Sequence, residues 1–285
     1  MTPPEPWVER ILRVVDHVSQ HLDDELQPPQ LAQIAGFSLH HFHRVFRGMT
    51  GESVMAFVRR LRLERAALRL KYSEQSVTQV AMASGYQSHE AFTRAFRSRF
   101  QASPSEFRGR ERGDLPQGIR FFESERPEVI SLAVRHTGPY EQSMQSWERL
   151  LGWAGSSGVL EHSPESLGLC YDDPEVTETA QLRYDACLVV PEGLPSQYRL
   201  PSDISVRKIA GGHYGGALHV GCYSSILDTY VALLGHWLPE REVELVDEPV
   251  LEVYLNSPYE TSVDDLRTEI CVRIAGVGLP VADFV

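Results

Sequence analysis

Apolar side chains recur at three- and four-residue intervals through the first third of the chain, from about residue 7 to residue 108. Serine precedes several of these segments and glycine follows several of them, and these residues favour helix caps. Residues 76–79 and 103–106 have the capping-box pattern, a serine followed three positions later by glutamine or glutamate. Residues 108–118 contain three glycines and one proline and have no apolar period. The pattern predicts an all-α segment followed by a linker.

The period changes to that of strands beyond the linker, and the elements then repeat. Residues 129–136 alternate as a strand, residues 142–153 have the period of an amphipathic helix, and strands follow at 167–171 and 186–190. The same succession recurs 83 to 84 residues later. Matched pairs include His136 with His219, Trp153 with Trp237, Asp185 with Glu269, and Cys187 with Cys271. The sequence therefore predicts a duplicated β-α-β-β unit, each copy a half-sheet with one covering helix.

Two helix-turn-helix patterns lie within the helical segment. Residues 31–38 supply a helix, a glycine stop and a serine cap, and residues 80–88 repeat that arrangement. The helix after each turn has one apolar face, formed by Phe42, Val45, Phe46 and Met49 in the first and by Phe92, Ala95, Phe96 and Phe100 in the second. The polar residues of the opposite faces are candidate DNA contacts: His40, His43, Arg44 and Arg47 in the first helix, and His89, Glu90, Thr93, Arg94 and Arg97 in the second.

These polar faces have two interpretations. On an isolated amphipathic helix they would be a solvated surface. Two tandem copies favour DNA recognition, because a helix over about residues 53–70, roughly 27 Å long, could hold two recognition helices near the ~34 Å between successive major-groove faces. The charge distribution agrees with DNA recognition, although the whole chain has a net charge of −12. Residues 1–112 hold 16 Arg and Lys against 12 Asp and Glu, a net charge of +4, and residues 113–285 hold 11 against 27, a net charge of −16.

The second recognition helix carries a family resemblance. Residues 85–100 are Gly-Tyr-Gln-Ser-His-Glu-Ala-Phe-Thr-Arg-Ala-Phe-Arg-Ser-Arg-Phe, and residues 103–108 are Ser-Pro-Ser-Glu-Phe-Arg. This segment resembles the signature of the AraC/XylS family of transcription regulators, and the resemblance covers about residues 8–110. It implies two helix-turn-helix subdomains bridged by a long helix. The base-contacting positions that it implies are His40, His43 and Arg44 in the first motif and His89, Glu90, Thr93 and Arg94 in the second.

The acidic C-terminal part resembles a second family. His-Thr-Gly-Pro-Tyr at 136–140, Tyr-Asp-Asp-Pro at 171–174 and Glu-Val-Tyr-Leu-Asn-Ser-Pro at 252–258 are similar to the GyrI-like effector-binding domain, over about residues 119–277. This order of the two domains is that of right-origin-binding-protein-like regulators. Cys222 and Arg273 depart from the family pattern, which usually has proline at both positions. The second departure concerns the rim of the expected pocket.

An aromatic cleft between the two repeats is the expected ligand site. The candidate wall residues are Trp147, Tyr140, Tyr171, Tyr214, Tyr223 and Tyr254. Glu269 lies in the apolar strand Glu-Ile-Cys-Val-Arg-Ile, where a carboxylate is costly unless a cation or hydrogen-bond donors meet it. The GyrI-like resemblance implies that a glutamate at this position pairs with lipophilic cationic ligands. The alternative is that Glu269 points outward on an alternating strand.

The sequence thus predicts a multidomain fold. An N-terminal all-α double helix-turn-helix DNA-binding domain occupies residues 1–110, a linker occupies 111–118, and a C-terminal α+β domain of duplicated β-α-β-β units, GyrI-like and small-molecule-binding, occupies 119–285. We expect a transcription regulator that binds double-stranded DNA and responds to a small, lipophilic cationic effector, with RNA polymerase as a further candidate partner. We expect no enzyme activity. The alternatives are that the C-terminal domain hydrolyses small molecules or sequesters drugs.

Metal, cofactor and membrane chemistry are not indicated. The four cysteines are far apart, and the pairs His17 with His21 and His40 with His43 lack an accompanying set of cysteines or carboxylates. No apolar run approaches the roughly 20 residues of a membrane span, and the start of the chain lacks the pattern of a signal peptide. We therefore expect a cytoplasmic protein with no cofactor, no metal and no membrane partner.

Overall fold

The computed structural model describes residues 7–73, 75–109, 118–162, 164–241 and 243–275. The chain divides into two compact units, Met1–Glu111 and Arg112–Val285. The first is helical and the second combines a sheet with helices, so the predicted fold class is confirmed. The linker predicted at residues 111–118 lies outside the described residues apart from Gly118. Within the ranges given above, no helix has both the length and the apolar character to cross a membrane.

Helices account for the described regular structure of the first unit. They are α1 (Trp7–Gln20), α2 (Pro28–Ile34), α3 (Leu39–Thr50), α4 (Val54–Tyr72), α5 (Val77–Ala83), α6 (His89–Phe100) and α7 (Pro104–Arg108). Ser53, Ser76, Ser88 and Ser103 precede four of them, and each side chain accepts a hydrogen bond from a backbone N–H of the first turn. The two predicted capping boxes, before α5 and α7, are both present.

The long helix α4 organises the helical unit. It contacts α3, α5, α6 and α7. Its buried side chains are distributed around its circumference, and they include Phe57, Leu61, Ala66 and Leu70. A helix that packs on several sides is apolar on several sides. The bridging helix expected from the sequence is therefore present, and it extends two residues beyond the predicted end at Leu70.

The second unit consists of an antiparallel sheet with helices. Its described elements are β1 (Arg120–Arg126), β2 (Val129–Thr137), α8 (Met144–Ser157), β3 (Ser166–Cys170), β4 (Arg183–Val190), β5 (Ser205–Ile209), β6 (Gly212–Val220), α9 (Ile226–Tyr230), β7 (Glu244–Leu245), β8 (Val250–Tyr254) and β9 (Arg267–Ala275). After α9 the chain continues as a wider, π-helical segment over Val231–Trp237.

The strand order shows the duplication. The strands pair in the order β1-β6-β9-β8-β3-β4-β2-β5, and β7 pairs with β9. The halves β2-α8-β3-β4 and β6-α9-β8-β9 have the same succession, which confirms the predicted repeat of a β-α-β-β unit. At the centre β3 pairs with β8, and Gly168 lies opposite Glu252. These two residues are 84 positions apart, like the matched pairs of the repeat, so the pseudo-twofold axis passes between them.

The two faces of the sheet differ in what covers them. On the face that we call the helix face, α8 packs Leu150 against Leu188, and the segment after α9 packs Leu233 against Ile270. Val250 contacts both of these clusters, which places both helices on the same side. Side chains alternate along a strand. The neighbours of these residues therefore point to the opposite face, where a third buried cluster lies.

Candidate functional site

The first helix-turn-helix joins α2 to α3 through a turn that requires glycine. Gly36 has a φ of 63°, and a Cβ there would lie 2.9 Å from the guanidinium of Arg10. The Nε of Arg10 donates to the carbonyl of Ala35 at 2.6 Å, and its guanidinium lies 3.6 Å from the ring centroid of Phe37. An arginine of α1 thus holds the turn from which α3 begins.

The helix α3 separates its apolar and polar side chains. Phe42 and Phe46 are fully buried in the core of the helical unit. The four residues predicted as DNA contacts are all exposed: His40, His43, Arg44 and Arg47. Met49 was expected on the apolar face, but it is 42% exposed, so that expectation is wrong. It lies only about 20° round α3 from Phe42, so the period predicts burial, but it stands in the last turn of the helix, where the core leaves it exposed.

The second helix-turn-helix uses the same construction. Gly85 has a φ of 79°, and a Cβ there would lie 2.9 Å from the guanidinium of Arg62 in α4. Arg62 also donates to the carbonyls of Leu22 at 2.8 Å and Asp24 at 2.7 Å. The two arginines, one in α1 and one in α4, therefore occupy corresponding places beside the two turn glycines.

The helix α6 also presents a polar face. Phe92 and Phe96 are fully buried, and four of the five predicted contacts are exposed: His89, Glu90, Arg94 and Arg97. Thr93 is half-buried, and among the described residues its hydroxyl has no hydrogen-bond partner. Hydrogen bonds from its own backbone N–H and from Ser88 lower the pKa of Glu90. At neutral pH Glu90 is therefore an acceptor, the role that a carboxylate has toward the amino group of cytosine.

A buried ionic network joins α6 to α4. The carboxylate of Glu64 in α4 lies 3.0 Å from Arg60, one turn earlier, and 3.0 Å from Arg99 of α6. Glu64 is 4% exposed. With 19 residues, α4 is about 28 Å long at ~1.5 Å per residue. The second recognition helix is thus fixed by charge-assisted hydrogen bonds to the helix that bridges the two motifs.

In the C-terminal unit, a group of aromatic side chains surrounds Glu252 on the helix face of the sheet. The hydroxyl of Tyr230 donates to one carboxylate oxygen at 2.7 Å, and that of Tyr254 donates to the other at 2.5 Å. The Tyr254 hydroxyl accepts from Tyr184 at 2.8 Å, and the Tyr184 hydroxyl accepts from the indole of Trp147 at 2.9 Å. We call these five residues the Glu252 cluster. Glu252 itself is 8% exposed.

Two further predicted wall residues adjoin this cluster. The ring of Tyr223 meets that of Tyr254 edge-on at 5.9 Å, and the ring of Tyr140 lies 6.2 Å from that of Tyr184. Tyr140 also donates to the carbonyl of Asp172 at 2.6 Å. Four predicted residues are therefore brought together, namely Trp147, Tyr140, Tyr223 and Tyr254. Burial raises the pKa of the cluster's tyrosines well above the ordinary value, so their hydroxyls remain protonated donors.

Three predicted ligand residues lie elsewhere, on the opposite face of the sheet. The side chain of Glu269 is 27% exposed, and its carboxylate lies 3.5 Å from Arg126. Its neighbour Ile270 packs on the helix face, so alternation turns Glu269 away from the aromatic rings. Tyr171 donates to Asp185, and Tyr214 donates to the carbonyl of Ala210. The expectation that Glu269, Tyr171 and Tyr214 face the aromatic cleft is therefore wrong.

The sequence contained a signal for Glu252. It is the first residue of the Glu-Val-Tyr-Leu-Asn-Ser-Pro segment, and period-2 alternation places Glu252 and Tyr254 on one face of β8 while Leu251 and Val253 share the other. Tyr184 and Tyr230 come from β4 and α9, and only the fold brings them to this carboxylate. Among the described residues, no group of three His, Cys, Asp or Glu side chains is placed to hold a metal ion.

Comparisons with known proteins match a family to each of the two units of the chain. Residues 122–275, more than half of the chain, match the family described as the GyrI-like small molecule binding domain, and residues 31–110 match a helix-turn-helix domain. Regulatory protein SoxS of Escherichia coli (strain K12) is 33% identical over 93 residues, which are 33% of this chain and 87% of that protein. The right origin-binding protein of the same strain is 33% identical over 88 residues.

These matches differ in extent. The match to the right origin-binding protein covers 31% of this chain and 30% of that protein, so it spans less than a third of that relative's own length. The crystal structure of the EcmrR C-terminal domain has a TM-score of 0.45 and 18% identity, over 56% of this chain and 99% of that chain. With its helix-turn-helix region and the duplicated sheet domain that follows it, the chain belongs to the GyrI-like small-molecule-binding family and carries an AraC-type helix-turn-helix region before that domain.

Proposed function

We propose that this chain is a transcription regulator that binds double-stranded DNA through α3 and α6 and binds a small lipophilic cation at the Glu252 cluster. The DNA assignment rests on the tandem polar faces. Arg44 and Arg94 each lie six residues after the serine that caps their helix, so the two helices present an arginine at the same place. Arginine can form two parallel hydrogen bonds to guanine in the major groove. The proposed contacts are His40, His43, Arg44, Arg47, His89, Glu90, Thr93, Arg94 and Arg97.

Base-resolved binding measurements test the DNA assignment. Duplexes selected from a random pool by the full chain would define its preferred sequence, and binding would then be measured for Arg44→Ala and Arg94→Ala. Each substitution should relax preference at one base position, at a cost of about 1–3 kcal/mol, and the two positions should lie about one helical turn apart. Loss of preference at the same base pair in both variants, or equal weakening for every sequence, would contradict the model of two recognition helices.

The effector assignment rests on the hydrogen-bond partners of Glu252. The buried Asp185 of the same unit has arginine partners, whereas the partners observed for Glu252 are tyrosine hydroxyls. A carboxylate held by neutral donors keeps its attraction for a cation, and the faces of Trp147 and the tyrosines attract the same ligand. Lipophilic cations therefore fit this site better than anions or neutral molecules of equal size.

Calorimetric titration of the full chain tests this assignment with a cationic dye and its neutral isostere. We expect the wild-type chain to prefer the cation. Glu252→Gln should abolish that preference because it removes the charge and keeps the shape. Glu269→Gln is the matched control, since Glu269 lies on the opposite face and pairs with Arg126. A preference that survives Glu252→Gln but not Glu269→Gln would place the ligand on the other face of the sheet.

The effector would act by changing DNA engagement or a contact with RNA polymerase. The hydrolase alternative is not favoured, because the relatives that match the helical region are regulators. Incubation of the full chain with ester substrates should yield no product above the uncatalysed rate. Turnover that is lost in Glu252→Gln would instead establish the hydrolase.

A further inference from the structure

A groove of about 620 Å³ lies beside α3, and apart from His40 and Arg44 its lining has no role in the function proposed above. One wall is Trp7, from the first turn of α1. The other residues that line it belong to α3 and its cap, and they are Ser38, His40, His41, Arg44, Val45, Gly48 and Met49. Trp7 is 55% exposed and Met49 is 42% exposed. Trp7 and Met49 thus leave apolar surface exposed beside α3.

The groove lies on one flank of α3. Successive residues of a helix are rotated by about 100°, so His41, Val45 and Gly48 lie roughly a third of a turn from the centre of the polar face. His40 and Arg44 border both the polar face and the groove. The groove therefore begins where the proposed base contacts end.

The dimensions of double-stranded DNA indicate which part of the duplex faces this flank of α3. The major groove is about 12 Å wide, and a helix with its side chains is about 10–12 Å in diameter. When the polar face of such a helix meets the base edges, its flanks face the two sugar–phosphate backbones. We propose that the groove receives the DNA backbone bordering the first half-site, with the Trp7 ring against deoxyribose and its indole N–H donating to a phosphate oxygen. This inference rests on the proposed DNA-binding function.

Charge and geometry favour this occupant. The residues that line the groove include one arginine and two histidines, and none of them is a carboxylate. The lining offers N–H and O–H donors to a phosphodiester and no carboxylate that would repel it, and the sugar covers the apolar wall. Trp7 is also held in place, because its ring meets Phe37 edge-on at 6.1 Å and His41 edge-on at 5.4 Å. A ring fixed in this way loses little side-chain freedom when it contacts DNA.

Binding measurements on the full chain test the role of Trp7. The probes are a duplex selected from a random pool by the wild-type chain and an unrelated duplex of equal length. Trp7→Ala should weaken binding to both by about tenfold, because a backbone contact carries no sequence information. Trp7→Phe keeps an apolar ring and loses the N–H, so its affinity for DNA should lie between those of the wild-type chain and Trp7→Ala. Val8→Ala is the matched control, since Val8 is also exposed on α1 but does not line the groove.

Fluorescence provides a second measurement. Trp7 is the sole tryptophan of residues 1–111. Duplex DNA should change the emission of the wild-type chain and should leave that of Trp7→Phe unchanged. The absence of this difference would overturn the inference, and so would unchanged DNA affinity of Trp7→Ala.

The remaining outcomes separate this inference from the function on which it rests. A loss confined to the selected duplex would show a base contact and would refute the backbone contact. Unchanged DNA affinity together with lost binding of RNA polymerase would assign the groove to a protein partner. A wild-type chain that binds neither duplex would refute the proposed function itself, whereas DNA binding that does not depend on Trp7 would refute only the assignment of the groove.

Discussion

Replacing Asp185 with asparagine tests the ionic network on the opposite face of the sheet. The carboxylate is fully buried and forms ion pairs with Arg135 and with Arg207, the latter at 3.0 Å. It also accepts a hydrogen bond from Tyr171 at 2.9 Å. Asparagine keeps the shape of the side chain and removes its charge. Two arginines in the interior would then lose the carboxylate that they share.

The magnitude follows from the pKa of this carboxyl. Burial raises the pKa of the Asp185 carboxyl. The ion pairs with Arg135 and Arg207 outweigh burial and lower that pKa to about 2, from an ordinary value of 3.8. That difference corresponds to about 2.4 kcal/mol in favour of the folded state at neutral pH. Breaking a buried ion pair by removing one partner costs about 3–5 kcal/mol. We therefore expect Asp185→Asn to lower the free energy of unfolding of the C-terminal unit by about 2–5 kcal/mol.

Urea unfolding of the full chain in a Trp7→Phe background measures this loss, because Trp147, Trp153 and Trp237 then report on the C-terminal unit. The folded-state pKa of Asp185 is below its ordinary value, so its contribution is complete above pH 3.8 and is lost as pH falls toward about 2. The difference between wild-type and variant should shrink over the same interval.

The exposed ion pair of Arg149 with Asp203 is the matched control. These side chains are 41% and 48% exposed, and Asp203→Asn should change the free energy of unfolding by less than about 0.5 kcal/mol. A loss below about 1 kcal/mol for Asp185→Asn would refute the argument about buried charge. A loss that stays constant down to pH 2 would refute its assignment to the ionised carboxylate.

Two further predictions concern the helix face. A Cβ at Gly168 would lie 2.7 Å from the Tyr184 hydroxyl and 2.8 Å from the Tyr254 hydroxyl, so Gly168→Ala should weaken cation binding in calorimetry by about tenfold. Unchanged affinity would show that the ligand binds away from the Glu252 cluster. Hydrogen bonds from His213, first to Glu123 and then to a second glutamate of β1, raise the pKa of the histidine above 6.5. Protonated His213 and these two glutamates stabilise the fold below pH 6.5, and this contribution is lost as pH rises through the raised pKa of the histidine. His213→Gln should therefore flatten this pH dependence of Tm.

The helical unit is predictable because its signals are local. A serine that caps a helix and a glycine that ends one act within a few residues of themselves. The turn glycines Gly36 and Gly85 are examples, since each is required by its own backbone conformation. The arginines that lie beside those turns come about two dozen residues earlier, in other helices, and no local rule points to Arg10 or Arg62.

The ligand site is less predictable because it depends on which face of a strand is covered. Alternation in β9 shows that Glu269 and Ile270 point to different sides, but it does not show which side receives the helices. The repeat offered a further indication, since Glu269 corresponds to Asp185, a residue that is fully buried with arginines on the opposite face. Asp185 and Glu269 both form ion pairs with arginines, whereas Glu252 is the carboxylate that faces the aromatic rings.

The pseudo-twofold axis explains why this site has one carboxylate and not two. Gly168 and Glu252 are equivalent positions of the repeat and lie opposite each other across β3 and β8. A glutamate at both would place two carboxylates on facing Cβ atoms about 4.5–5.5 Å apart, where like charges repel. Glycine at 168 leaves space that the hydroxyls of Tyr184 and Tyr254 occupy. Among the five residues of the Glu252 cluster Glu252 is the one carboxylate, so we expect a monocationic dye to bind more tightly than a dicationic analogue of the same size in calorimetry.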